Sequence, residues 1–182
     1  HGKVIDGHAA GVDGDGINVY MAAGIRSDHE CTTAEQVKER LSRGMYVMLR
    51  EGSASRDLRA LLAAVNEDNA RRCLFVTDDK HVDDLMKEGS IDYNVRIAIK
   101  HGIQPITAIQ MATLNAAEYF GLKRKGAIAP GYDADFLLLD SLEDVVIHEV
   151  FVGGKSVALR GRCNPLQQNT VTPSKKIGDS IQ

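Results

Sequence analysis

Met45-Tyr46-Val47-Met48-Leu49, followed at once by Arg50-Glu51-Gly52-Ser53, is the run on which the fold turns. Five apolar residues without alternation predict a strand buried on both faces, as in parallel sheets covered by helices. The polar residues that close it then belong at the carboxyl end of the strand, where a β/α barrel keeps its ligands. Downstream, Ser55 to Asn69 carries Leu58, Leu61, Leu62 and Val65 and predicts an amphipathic helix. Leu74-Phe75-Val76 makes the next strand, closed by Thr77-Asp78-Asp79. Helices are expected over Val82 to Lys87, Tyr93 to His101, and Pro105 or Ile106 to Tyr119.

Upstream the same grammar repeats. Lys3-Val4-Ile5-Asp6 is a strand candidate ending in Gly7-His8-Ala9, and Ile17 to Ala23 is expected to be helical, with Gly24 as its stop. Ile25-Arg26-Ser27 predicts a strand leading into Asp28-His29-Glu30, and Thr33 caps a helix bearing Val37 and Leu41 on one face before Gly44. Strand and helix thus alternate four times, which predicts an α/β fold with a parallel sheet and right-handed crossovers. A closed (β/α)8 barrel takes about 250 residues, so four units before residue 121 amount to half of one. Beyond Gly121, short strands at Phe136 to Leu139, Val145 to Val152 and Lys155 to Leu159, with Gly153-Gly154 as a hairpin turn, predict a small β element over 122–160. Residues 161–182 are polar, weakly patterned, and read as a linker or tail.

Composition narrows the function. At 182 residues, 43% hydrophobic and 26% charged, the chain has the makeup of a globular protein with a substantial core. A net charge of -3 provides no basic field for nucleic acid, and a small neutral substrate fits better. Three scattered cysteines without a CxxC pair argue against a disulfide framework and make the cytoplasm the expected compartment. No apolar run approaches the roughly 20 residues of a spanning helix. The first residue is His1 rather than Met, in keeping with a sequence that begins inside a longer chain.

Two histidines and an aspartate at successive strand ends are what a hydrolytic divalent metal needs: neutral imidazoles plus a carboxylate. His8, His29 and Asp78 are therefore the expected metal ligands, with Asp78 also placed to take a proton from the attacking water. Asp28 and Glu30 are read as supporting carboxylates that orient the histidines. Asp79 either exchanges roles with Asp78 or caps the following helix. Arg50, Glu51 and Ser53 are expected either to face the mouth, where substrate is gripped, or to form a plain loop closed by a salt bridge. His81, Asp83 and Asp84 belong to a helix start, and His101 and His148 to structural or solvated positions. The glycines of Gly11 to Gly16 lack a following Gly-Lys-Ser/Thr, which removes a Walker loop from consideration.

Gly7-His8-Ala9, Ala22 to Glu30, Arg50-Glu51-Gly52-Ser53, Thr77-Asp78-Asp79, Ala112-Thr113-Leu114-Asn115-Ala116-Ala117 and Gly126 to Asp135 together resemble the C-terminal half of bacterial adenine deaminases of the amidohydrolase superfamily. The likeness runs from residue 1 to about 160. Ala-Thr-Leu-Asn and Pro-Gly-x-x-Ala-Asp are widespread in the superfamily, whereas Ser-Asp-His-Glu and Arg-Glu-Gly-Ser point to the adenine branch. The resemblance implies a TIM-like metal-dependent hydrolase barrel, here its strands five to eight, beside part of a small β-sandwich. It implies a binuclear Mn2+ or Fe2+ centre with His8 and His29 as ligands from the fifth and sixth strands and Asp78 from the eighth. It further implies adenine as substrate, hypoxanthine and ammonia as products, and a homo-oligomer when full length. The family's His-x-His pair and bridging glutamate come from strands outside this chain, so the piece alone is expected to bind metal weakly and not to turn over. The competing readings are a dihydroorotase-like or hydantoinase-like hydrolase of cyclic amides on the same metals, and a noncatalytic α/β module in which the histidines pack and cap.

Overall fold

The computed structural model describes residues 3–165. At its centre lies a parallel sheet of three strands, β1 (Ser27–Asp28), β2 (Tyr46–Arg50) and β3 (Cys73–Val76), with β2 in the middle. Ser27 pairs with Tyr46, and Arg50 with Val76. The register brings the segments that follow all three strands out at one end. The apolar run of β2 is covered on both sides: Val47 and Leu49 join the helix-covered core, while Met48 packs with Leu74 and Tyr119 on the opposite face.

The expected strand at Lys3–Asp6 is not formed. The segment is extended, but its one sheet-like contact is the Arg26 N–H donating to Ile5 O at 3.4 Å, and Val4 and Ile5 are exposed. The turn that follows takes over: Asp6 Oδ1 accepts from the Gly7 N–H at 2.8 Å. Gly7 then lies against β1 so closely that a Cβ would stand 2.3 Å from Ser27 O. No side chain fits there.

Around the sheet run α1 (Gly14–Ala22), α2 (Ala34–Ser42), α3 (Leu58–Leu61), α4 (Val82–Glu88), α5 (Ile91–Lys100), α6 (Pro105–Ala112) and α7 (Leu114–Phe120). Thr33 starts α2 with a capping box, its Oγ1 accepting from the Gln36 N–H at 3.3 Å while Gln36 Oε1 accepts from the Thr33 N–H. The long helix expected over Ser55–Asn69 is instead one α-turn and one 3-10 turn, Leu62–Ala64, after which Val65 is extended. The cause is the asparagine pair: Asn66 Oδ1 accepts from the Asp68 and Asn69 N–H groups, and Asn69 Oδ1 from the Asn66 N–H. Side-chain bonds of this kind compete with the helix ladder. Leu58, Leu61 and Leu62 are nevertheless in the core. The helix expected from Pro105 to Tyr119 is broken at Thr113 (φ -125°, ψ -78°), whose Oγ1 donates to Ile109 O. Asn115 then ties α7 to the start of β3 through 2.8 Å bonds to Ala70 O and Cys73 O.

The C-terminal part is a single antiparallel sheet, β4 (Phe136–Ser141), β5 (Val146–Val152), β6 (Lys155–Leu159) and β7 (Arg162–Cys163), in that order, with the Gly153-Gly154 turn between β5 and β6. Val145 and Leu139 carry it into the main core. β7 begins where a tail over 161–182 was expected, and the rest of that stretch from 166 onward is outside the described residues. Among the described residues no helix is long and apolar enough to cross a membrane.

Candidate metal centre

His8 and His29 come together from loops 21 positions apart. Their rings lie 5.3 Å apart, centre to centre, edge to face at 71°. Between them stands Glu30, whose Oε1 is 3.4 Å from His8 Nδ1 and 3.3 Å from His29 Nε2. Donor atoms of the three residues all lie within 4.8 Å of one another. Asp6 Oδ2 sits 3.5 Å from His29 Nδ1, so a carboxylate backs that ring nitrogen and turns Nε2 toward Glu30. The His8 backbone N–H donates to the Tyr20 hydroxyl of α1 at 2.7 Å. Two imidazoles and a carboxylate converging from one side form a donor set suited to a borderline divalent cation. His8, His29 and Glu30 fit such an ion.

These loops are held from below by a buried ion pair. Asp28, fully shielded from solvent, accepts from the N–H groups of Ala9 (3.0 Å) and Glu30 (3.1 Å), the residues immediately after each histidine. Its other oxygen takes a 3.0 Å bond from Arg40 Nε, and Arg40 Nη2 goes on to the carbonyls of Ala9 and Val12. Every charged group here has its partners, the condition under which a buried pair is tolerated. Burial, then the neighbouring Asp28 charge, pushes the Cys31 thiol up to about 12, so it stays protonated.

Asp78 lies across the site rather than between the imidazoles. Its Oδ2 accepts from Arg50 Nη1 at 3.2 Å, and the same nitrogen donates to Glu30 Oε1 at 2.6 Å. A cavity of about 360 Å3 lined by Asp6, His29, Met48, Val76, Asp78 and Ile91 connects the two halves. Glu30, read from sequence as a supporting group, is thus the carboxylate nearest both rings. Asp6, which sequence reasoning missed, was marked by its position at the end of a strand candidate next to Gly7-His8.

Three expectations need correction. Glu51 does not face the mouth: consecutive residues of an extended segment point to opposite sides, and Glu51 is buried against Arg59, 2.8 Å away. Ser53 presents its hydroxyl to the His81 N–H at 2.8 Å, within the loop rather than the cavity. Asp79 neither replaces Asp78 nor caps α4; its carboxylate gathers the N–H groups of Ser53, Ala54 and Ser55 at 3.2, 2.8 and 3.3 Å. That embrace leaves no room at residue 52, where a Cβ would stand 1.5 Å from Asp79 Oδ1.

Residues 1–157 match the model of the amidohydrolase family. The chain belongs to the amidohydrolase family. As an amidohydrolase it is 54% identical to the adenine deaminase of Geobacillus kaustophilus across 99% of this chain, and 54% identical to that of Bacillus pumilus across 98%. It spans 30% and 31% of the lengths of those relatives. Among solved structures it resembles a β-aspartyl dipeptidase of Fervidobacterium islandicum (TM-score 0.61, 21% identity, 78% of this chain and 42% of that one). It also resembles an amidohydrolase of Thermotoga maritima (TM-score 0.61, 21% identity, 86% and 44%). These structures share the fold with this amidohydrolase chain. Membership of the family and the adenine deaminase homologues imply a divalent metal.

Proposed function

We propose that this chain is the metal-bearing C-terminal half of a TIM-like barrel in an adenine deaminase, which hydrolyses adenine to hypoxanthine and ammonia in cytoplasmic purine metabolism. The convergence of His8, His29 and Glu30 on one small volume carries the reading, and the 54% identity to adenine deaminases gives it its substrate. In this reading His8 and His29 hold part of a binuclear Mn2+ or Fe2+ centre, Asp78 supplies a further carboxylate, and the full-length protein is a homo-oligomer. When bound, such a cation lowers the pKa of water toward neutrality and stabilises developing negative charge.

The chain's own groups account for the rest. The apolar wall of the cavity, Met48, Val76 and Ile91, suits the flat face of a purine. The hydroxyl of water adds to C6 of the base, the C6–N6 bond breaks as ammonia leaves, and the proton remaining on that hydroxyl moves to N1 to give the C6 carbonyl of hypoxanthine. Asp78, at the rim of that cavity, accepts the proton released by the attacking water and returns it to the departing amine. Asp6 keeps the His29 imidazole oriented, with Nε2 turned to the side that Glu30 and His8 share. The test is ammonia release by the Mn2+-loaded full-length protein from adenine, with dihydroorotate and hydantoin as competitors. Turnover of adenine alone supports the reading; ring opening of a cyclic amide without adenine turnover ends it.

A further inference from the structure

We infer that Arg50 is a positioning residue for the metal centre, one guanidinium that sets where the Glu30 and Asp78 carboxylates stand; the inference rests on the metal-hydrolase reading above. Three acidic side chains from three separate segments end on it. Nη1 donates to Glu30 Oε1 at 2.6 Å and to Asp78 Oδ2 at 3.2 Å, and Nη2 to Asp57 Oδ2 at 3.3 Å. The Glu30 oxygen it holds is the same atom that stands 3.4 and 3.3 Å from the two imidazoles. Displacing Arg50 therefore displaces the carboxylate nearest both rings.

The sheet order explains why this task falls to position 50. β2 lies between β1 and β3, so a side chain at the end of β2 reaches the loops that follow both neighbours. Glu30 comes from one of those loops and Asp78 from the other. Two carboxylates brought to one point repel unless a cation lies between them. Asp78 also holds a left-handed backbone (φ 52°), a conformation that a non-glycine residue keeps only when its surroundings enforce it. Arg50 is itself buried, and both of its terminal nitrogens already reach acids, so its place at the end of β2 serves these carboxylates first. A lysine would not replace it, because one ammonium cannot span three carboxylates that a planar fork reaches together.

The experiment is chelator-competition titration of the metal-free full-length protein with Mn2+, for the wild type and for Arg50→Ala, Arg50→Lys, His8→Ala and His29→Ala. Circular dichroism selects the folded variants. Arg50→Ala is expected to bind Mn2+ about 10–100-fold more weakly, the usual cost of losing a group that orients ligands. Millimolar guanidinium is expected to restore much of that affinity while leaving the wild type unchanged. Arg50→Lys, which keeps the charge and protects the fold, is expected to lose affinity to a smaller degree. Wild-type Mn2+ affinity in a folded Arg50→Ala or Arg50→Lys protein overturns the inference. So does a loss in Arg50→Ala that guanidinium leaves untouched, since a merely collapsed loop is not mended by the free ion. If His8→Ala and His29→Ala also bind Mn2+ normally, the metal reading itself has failed; if they lose it while Arg50 variants do not, only the role of Arg50 falls.

Discussion

Asp28 and Arg40 meet out of reach of solvent, Oδ2 to Nε at 3.0 Å, and between them they fasten the backbone behind both histidines. Asp28→Asn leaves buried Arg40 with Glu39, 3.2 Å from Nη1, as its remaining carboxylate, so the loss is expected to fall below the roughly 3–5 kcal/mol of a buried charge left wholly unpaired. Chemical denaturation of the full-length protein is expected to register that smaller loss. Replacing both residues with apolar ones is expected to cost more than the single change, because the Ala9 and Glu30 N–H groups and the Ala9 and Val12 carbonyls then lose their partners as well.

Removing either imidazole takes away a donor that no neighbour supplies. His8→Ala and His29→Ala are each expected to purify with less bound metal than the wild type, as measured by elemental analysis of the full-length protein. His29, backed by Asp6 and partly enclosed, is expected to lose more than the exposed His8. Unchanged metal content in both variants returns the histidines to a packing role.

Gly7 touches β1 where a methyl group has no space, 2.3 Å from Ser27 O and 2.7 Å from the Ile25 side chain. Gly7→Ala must push the loop off the strand, and His8 is the next residue. The variant is expected to lose both stability and metal affinity, whereas substitution of exposed Val19 on α1 changes neither. Equal metal affinity in Gly7→Ala and wild type contradicts the close approach.

Partial burial pushes the Asp79 carboxyl up, but the N–H groups of Ala54, Ser55 and Ser53 together outweigh it and hold the group below its ordinary value of 3.8. A carboxyl whose pKa is depressed by folding contributes stability above its unfolded value, and that contribution disappears as pH falls through the folded one. Asp79→Asn is therefore expected to be less stable than wild type at neutral pH, with the gap closing below about pH 4. Denaturation curves across that range check the sign; a gap that widens in acid contradicts it.

Much of this protein was legible in one dimension because the determining interactions are short-ranged. The unbroken apolar run of β2 announces a strand covered on both faces, and Thr33 with Gln36 writes its own helix start. His29 and Asp78 stand out in sequence because polar residues directly after buried strands are costly without a use, whereas the strand expected before His8 is not formed. The misjudged helices failed for local reasons too, in which Asn66, Asn69 and Thr113 outbid the apolar periodicity with side-chain bonds to the backbone.

What the chain could not announce is which acid meets which base. Glu30 and Asp78 look alike in sequence, each the last or next charged residue after a strand. Only the parallel order β1-β2-β3 brings both to Arg50 and leaves Glu30 beside the imidazoles. Asp79, Ser53 and Glu51 were equally ambiguous, and their fates were decided by the direction of the loop after β2. Backbone propensity and hydrophobic pattern act within a few residues, so the sequence by itself determined most of the strands, most helix starts and the chemistry available, though not the absence of a strand at Lys3–Asp6. The pairing of charges acts through space, over separations of 20 to 28 positions here, and so the tertiary structure alone decided it.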